Sequence, residues 1–359
     1  MRIILDGMGG DYAPDAIVEG AVRSLPDLPK NWDICLVGKE DMLRKSLKAF
    51  GYTGDRISIE NADEVITNDD APVRAIRRKK QSSIVIGLNL VKAGKGDVFI
   101  SAGSTGALLA GGLLILGRIR GIDRPTLATL YPVIGAEPSL LTDAGANAEC
   151  KPRNLLEFGM MGSVYMEKVL DRPNPTVGLI NNGSEEEKGT PLTKKARKYL
   201  AKSSLNFIGY IESRDLQTPA ADVIVTDGFT GNALLKLTEG MGLMMLREIK
   251  KLFRSSAVSK LSALLVGKQL IAMKNQLDYR EYGGAPILGL RSAVLKMHGS
   301  SDATAVYHTI LKAVPYVEQD VVGIIENSVR SGGVKSVMET VDQEEKSEET
   351  SAHSLGNGK

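Results

Sequence analysis

The feature that most constrains this chain is an alternation. Short apolar, β-rich runs recur from Arg2 to Met297, and helical patterns fill most of the gaps between them. The runs are Arg2–Leu5, Asp33–Val37, Ile57–Glu60, Val98–Ser101, Thr126–Pro132, Ser139–Thr142, Val177–Ile180, Asn206–Tyr210, Val223–Thr226 and Ala293–Met297. Strands that alternate with helices predict mainly parallel sheets with helices on both faces. So many strands strain a single open sheet, so the expected fold is a two-lobed α/β unit over residues 1–337. No Ser/Pro-rich linker marks a boundary. The split is placed near Arg118, with lobe 1 at 1–117 plus 301–337 and lobe 2 at 118–300.

Charge divides the chain as well. Residues 338–359 carry six acids against two lysines, which leaves +6 on the remainder of a chain whose total is +2. The polar, acidic tail without aromatics is expected to be disordered. A mildly basic body suits anionic partners but gives no case for nucleic acid. Cys35 and Cys150 have no metal-type spacing, so neither a metal site nor a disulfide framework is expected. The most apolar stretch, Gly106–Gly117, is too short and glycine-rich to span a bilayer, and the N-terminus reads as a strand, so the expected location is cytoplasmic.

Two distant stretches read almost as one phrase: DVFISAGSTGALL (Asp97–Leu109) and DVIVTDGFTGNALL (Asp222–Leu235). Each runs from a strand through glycine into a helix. In parallel sheets, ligands gather beyond the carboxyl ends of strands, where helix starts offer free N–H groups. A single such elbow is explained by turn-making and capping alone. Two of them, the second with Asn232, point to anion- or carbonyl-binding elbows across a cleft. Polar loops after other strands add Asp6 and Asp11, Asp143 and Asn147, Asn182 and Lys188, then Tyr282, His298 and Asp302. The glycine spacing after the first strand is not that of a dinucleotide fingerprint.

The motifs LDGMGGDYAP, SAGSTGALLAG, DAGAN, GSEEEKG, DGFTGNALLK, YGGAPILG and HGSSD, in this order, resemble those of the bacterial acyl-ACP:phosphate acyltransferases, the PlsX family. The likeness runs from Met1 to about Gly333. It implies a fold similar to isocitrate dehydrogenase and phosphotransacetylase, a homodimer, and transfer of a long-chain acyl group from acyl carrier protein (ACP) to inorganic phosphate. No cofactor or metal is implied, and the acyl phosphate product would feed a downstream membrane glycerol-3-phosphate acyltransferase. Phosphate is already a nucleophile, so the protein must desolvate it, align it with the thioester and stabilise the oxyanion. Under the resemblance, Lys188, Asn232 and His298 are the catalytic candidates. Asp6, Gly9, Gly10, Ser101, Gly103, Ser104, Thr105, Gly106, Asn147, Asn182, Asp227, Gly228, Thr230 and Gly231 are the substrate-binding candidates. Asn232 would serve the oxyanion and Lys188 the developing negative charge. His298 would protonate the departing sulfur, although a lone histidine after a strand is commonly structural. Cys150 as an acyl-carrying thiolate is the less economical alternative.

Two basic clusters, Arg74–Lys80 and Lys194–Lys198, are either solvated helix faces or a dock for the acidic carrier protein. Residues 240–278 read as a helical hairpin broken at Ser255-Ser256. It packs against its own lobe or a dimer partner, and a tip of Leu261, Leu264, Leu265 and Val266 can also dip into an anionic membrane, at the inner face of the plasma membrane. Competing readings are a decarboxylating NAD-dependent dehydrogenase, an acyl-CoA-dependent phosphate acyltransferase, and a non-catalytic scaffold for ACP or membrane.

Overall fold

The structure is a computed structural model. It describes the chain except residues 257, 260, 261, 264, 265, 268–282, 332 and 357–359, with side chains described up to Ser347. The first half contains β1 (Arg2–Asp6), α1 (Asp15–Ser24), β2 (Asp33–Gly38), α2 (Glu40–Ala49), β3 (Ile57–Asn61), α3 (Pro72–Arg78), α4 (Ser83–Lys92), β4 (Val98–Ser101) and α5 (Thr105–Gly111). There follow β5 (Thr126–Tyr131), β6 (Ser139–Thr142), α6 (Pro152–Val169), β7 (Thr176–Asn181), α7 (Pro191–Lys202), β8 (Asn206–Glu212), β9 (Val223–Val225) and α8 (Gly228–Arg254). The remainder is β10 (Ala285–Leu288), β11 (Ala293–Lys296), α9 (Ala303–Glu318), α10 (Val321–Arg330) and α11 (Gly333–Gly356).

Each strand expected from the sequence is present, within two residues at either end. One was missed. β10 (APIL) is short, contains Pro286 and lies among glycines, so it reads as loop. It is also the strand that joins the halves. The neighbour order is β3-β2-β1-β4-β11-β10-β5-β6-β9-β7-β8. β3 through β11 run parallel, β10 opposes β11 and β5, β5 opposes β6, and β9, β7 and β8 run with β6. The β10–β5 seam consists of two residue pairs, Ile287↔Leu127 and Leu288↔Thr126.

Strand composition follows from burial on both faces. Ile3, Leu5, Ile34, Leu36, Val98 and Ile100 enter one core, while Ile4, Cys35, Val37 and Phe99 enter a second across the sheet. The period of two sends neighbours to opposite sides, so both parities must be apolar. Across β4 and β11 the register pairs Ser101 with Lys296 at the carboxyl ends, which puts both at the mouth of the sheet.

The C-terminal region differs from expectation twice. α9 packs on α1, as expected of a return to the first half, but also on α6; α10 packs on α6 and α11 on α6 and α7, both in the second half. The acidic segment expected to be a disordered tail is helical as far as it is described, with α11 running through it to Gly356. The cause is a stripe the acidic composition hides. Val334 and Val341 are buried, with Val337 and Met338 packed against the same core, at the spacing of one helix face. The acids beside this stripe meet the basic face of α7. Lys195 lies 2.8 Å from Asp342 and 3.1 Å from Glu345, Lys198 lies 3.0 Å from Glu345, and Lys202 lies 2.8 Å from Glu344. The Tyr199 hydroxyl donates to Asp342 at 3.1 Å. One of the two basic clusters is therefore covered by the chain itself.

α8 ends at Arg254 with the break at Ser255 that the sequence marks. Of the expected membrane tip, Leu261, Leu264 and Leu265 lie outside the described residues, as does Tyr282, and Val266 is exposed. No helix among the described residues is long and apolar enough to cross a membrane.

These contacts rank two substitutions. Each lysine–carboxylate pair is partly exposed, so Lys195→Ala should lower stability by no more than about 1 kcal/mol. Val341→Asp puts a charge into an apolar contact and should cost about 2 kcal/mol or more, releasing α11. Limited proteolysis checks this. The Val341→Asp protein should be clipped after residue 333 far faster than Lys195→Ala, and equal rates would mean that charge, not the stripe, holds the helix.

Candidate active site

The two elbows have the same foundation, a buried aspartate from the neighbouring strand. In the first, Asp6 ends β1 beside β4 and is 1% exposed. Its Oδ2 accepts from Ser101 Oγ at 2.6 Å and its Oδ1 from Met8 N at 3.0 Å. Ser101 Oγ in turn accepts from Gly103 N at 2.9 Å, which fixes the turn into α5. Gly9 is required by close approach, since a Cβ there would sit 2.6 Å from both Asp6 Oδ2 and Gly103 N. Gly10 has φ +99°, a left-handed conformation that favours glycine. The next amide, Asp11 N, donates to Gly299 O at 2.8 Å and ties this loop to the one after β11. Ser104 precedes α5 without capping it through its side chain, Thr105 opens the helix, and Gly106 abuts Pro72 of α3.

In the second elbow, Asp143 follows β6 beside β9 and is fully buried. Its Oδ1 accepts from Leu127 N at 3.0 Å, Ala146 N at 3.0 Å and Gly145 N at 3.3 Å. Its Oδ2 accepts from Asn147 N at 2.6 Å and Asn147 Nδ2 at 2.9 Å. Burial pushes the pKa of both Asp6 and Asp143 up, and these donors oppose the shift. The Asn147 side-chain amide also donates to Pro125 O at 2.8 Å, so both its hydrogens are engaged in holding the loop. Asp227 caps α8 by accepting from Thr230 N and Thr230 Oγ1, each at 2.8 Å. Gly228 and Gly231 lie against the Asp143–Asn147 loop with no room for a Cβ. Asn232 lies beside Gly145 and is exposed.

α8 carries the second elbow to the first. Lys236 follows Asn232 by four residues and so shares its face of the helix. Lys236 Nζ reaches His298 Nε2 at 3.5 Å and pairs with Glu239 at 2.7 Å. The Tyr131 hydroxyl of β5 bonds Thr238, which anchors the same stretch of helix. His298 is open to solvent along one edge. Partial burial, and then Lys236, hold its pKa below the ordinary value. Asn232, Lys236, His298 and the Asp6 loop thus border one cleft.

Other candidates lie elsewhere. Lys188 stands on the exposed 183–190 loop and pairs with Glu185 at 2.8 Å. That loop is shaped by buried Asn181, whose amide donates to Gly183 O at 3.0 Å and Lys188 O at 3.2 Å, while Asn182 is exposed. Among the described residues no hydrogen bond or ion pair joins Lys188 to either elbow. Cys150 bonds Asn147 O at 3.6 Å, and its thiol pKa is pushed up to about 12, first by burial and then by Asp143. Among the described residues no group of three or more His, Cys, Asp or Glu is placed to hold a metal ion. Sequence reasoning passed over two groups, Lys236 and Lys296. The signals were a lysine one turn beyond Asn232 and a lysine interrupting the apolar strand AVLKM.

This architecture is that of phosphotransacetylases. A phosphotransacetylase from Streptococcus pyogenes superposes with a TM-score of 0.60, covering 89% of this chain and 94% of that one at 17% identity. A branched-chain phosphotransacylase from Enterococcus faecalis gives 0.56 over 88% and 99% at 13% identity, so the likeness is one of fold. Residues 1–323 match the family model described as fatty acid synthesis protein. The phosphate acyltransferase of Alkaliphilus oremlandii is 50% identical over 335 residues, 93% of this chain and 98% of that protein. That of Clostridioides difficile is 47% identical over 322 residues, 90% and 94% respectively. The chain belongs to the phosphate acyltransferase family and is an acyltransferase enzyme.

Two glycines of α8 separate packing from propensity. Gly231→Ala should abolish soluble folded protein, because its methyl would meet the Asp143 backbone. Gly240 has open space around it, so Gly240→Ala should raise stability by about 0.5–1 kcal/mol through helix propensity alone. Soluble yield reads the first effect and thermal unfolding the second.

Proposed function

We propose that this protein transfers a long-chain fatty acyl group from acyl-ACP to inorganic phosphate, releasing free carrier and acyl phosphate for phospholipid synthesis. The observation that carries this reading is α8, which leads from Asn232 at one elbow to Lys236 and His298 beside the other. A phosphate oxygen forms its bond to the thioester carbonyl carbon, and the carbonyl oxygen takes the charge of the tetrahedral intermediate. The C–S bond then breaks, and the carrier thiolate takes a proton from solvent. Asn232, exposed near the start of α8, is the proposed oxyanion donor.

Direct attack is supported by the state of Cys150, since a thiol held up at about 12 offers almost no thiolate at neutral pH. The low pKa of His298 argues that it contributes position or a hydrogen bond rather than a proton. Lys188 remains in the proposal as a charge carried on an exposed loop. For the donor, Arg74, Arg77 and Arg78 flank an open pocket of about 510 Å³ with Pro72 and Val73, and Pro72 abuts Gly106 of the first elbow. This free basic surface beside the cleft favours an acidic carrier protein, whereas the α7 cluster is already covered by α11. Exposed Leu237, Met241, Met244, Met245 and Leu252 make an apolar stripe on α8, and Val258 and Val266 follow. We assign the stripe to a homodimer and the region beyond it, next to Lys250, Lys251 and Arg254, to reversible contact with an anionic membrane surface near the glycerol-3-phosphate acyltransferase.

Palmitoyl-ACP with phosphate should yield acyl phosphate, and palmitoyl-CoA should yield less; acyl phosphate from neither donor would remove the function. Asn232→Ala should lower turnover roughly a hundredfold, equivalent to about 3 kcal/mol. Lys188→Ala is expected to do likewise, and near-normal turnover in either variant would take that residue out of the site. Cys150→Ser should keep most activity, and an acylated Cys150 that reacts on with phosphate would overturn direct attack. Arg74→Glu/Arg78→Glu should raise KM for palmitoyl-ACP about tenfold or more and leave palmitoyl-CoA turnover unchanged. Equal effects on both donors would place carrier docking elsewhere.

A further inference from the structure

One cationic group in this cleft has no part in the reading so far. Lys296 ends β11 at the mouth of the sheet, in register with Ser101 of the first elbow, and is 9% exposed. Among the described residues its ammonium donates only to the neighbouring Met297 carbonyl. Two of its three hydrogens therefore lack an acceptor among the described residues, in a place where water is scarce. Lys236 reaches in from α8, with His298 next to it. Asp6 and Asp11 lie on the other side, but their attraction is outweighed. Burial first and Lys236 second lower the Lys296 pKa to about 8. The buried Lys296 and the more exposed Lys236 repel each other, and an anion between them would relieve that repulsion.

We propose that Lys296, with Lys236, binds the inorganic phosphate that receives the acyl group. The inference rests on the phosphate acyltransferase reading above and names the residues that hold its second substrate. A dianion is matched by two ammonium charges, one fixed on the sheet and one carried on α8. The placement aligns with the mechanism, because Lys236 lies one helical turn from Asn232. Phosphate held by the lysine pair therefore sits beside the donor proposed for the carbonyl oxygen it attacks. Lysine suits this role as a compact point charge with rotatable donors. The rival occupant of the same chemistry is the phosphodiester of the pantetheine arm of the acyl donor.

The test compares Lys296→Met and Lys296→Arg with the wild-type enzyme, measuring kcat and the KM of each substrate. Lys296→Met should raise the KM for phosphate about tenfold or more while the KM for palmitoyl-ACP changes by less than about threefold, with partial recovery in Lys296→Arg. A rise in the KM for palmitoyl-ACP instead would assign the lysine to the pantetheine phosphodiester and overturn the proposal. Unchanged KM values with a lowered melting temperature would make Lys296 a structural lysine and also overturn it. The pH profile gives a second reading. The charge facing Lys296 comes from Lys236 on α8, Asp6 on β1 and Asp11 after it, with the titratable ring of His298 on its own loop. Lys296 loses its proton as pH rises through about 8, so the KM for phosphate should climb above that pH in wild type and not in Lys296→Arg.

If Lys296→Met does not fold, chemical protection decides the matter on the wild-type protein without any acyl donor. Millimolar inorganic phosphate should slow acetylation of Lys296 by acetic anhydride, read by peptide mass spectrometry, while sulfate-free chloride at equal ionic strength does not. No protection would overturn the proposal. Because this measurement needs no turnover, an enzyme that makes no acyl phosphate would sink the functional reading while protection still decides the phosphate site.

Discussion

The structure depends on two buried carboxylates accepting hydrogen bonds from loops that would otherwise have no reason to hold their shape. Asp143 takes five N–H donors and Asp6 orders Ser101, and through it Gly103. A buried carboxylate is tolerable only when such donors surround it. Glycines stand where the elbow backbone packs closest against it. That close packing explains the repeated phrase in the sequence. Each strand-to-helix elbow is built against an aspartate from the next strand, and the glycines of the phrase are where a side chain would collide with that arrangement.

The same economy explains why so few of the polar residues in the loops are left to meet a substrate. Asn147, Asn181 and Asp227 each have their hydrogen-bonding capacity engaged locally, shaping the turns. What stays available lies along α8 and at the end of β11, on the structures those turns position. A rigid frame of satisfied groups that positions a few candidate substrate contacts is what electrostatic preorganisation requires.

Much of this was legible in the sequence, for reasons that differ by element. Strands such as VFIS and ICLV are apolar at both parities, and that signal survives any tertiary context. β10 was not legible, because Pro286 and flanking glycines carry a loop signature and its pairing is non-local. α11 was misread because composition was weighed above periodicity: Val334, Val337, Met338 and Val341 form a stripe that six acids obscure. In the site, the elbows and Asn232 were readable from the repeated phrase. Lys296 was not, since a lysine within an apolar strand looks like an edge residue until its register with Ser101 is known.

α8 also sets the tolerance of the site to change in length. Its residues advance about 1.5 Å and turn about 100° each. The separation of Asn232 from Lys236 is therefore quantised, fixed by a count of residues rather than by adjustable contacts. An insertion or deletion of one residue between them would swing Lys236 away from His298, and no rotamer of a lysine restores a quarter-turn of backbone. The exposed 183–190 loop is held differently, by the Asn181 amide donating to the carbonyls of Gly183 and Lys188. One turn of one helix thus acts as the molecule's ruler.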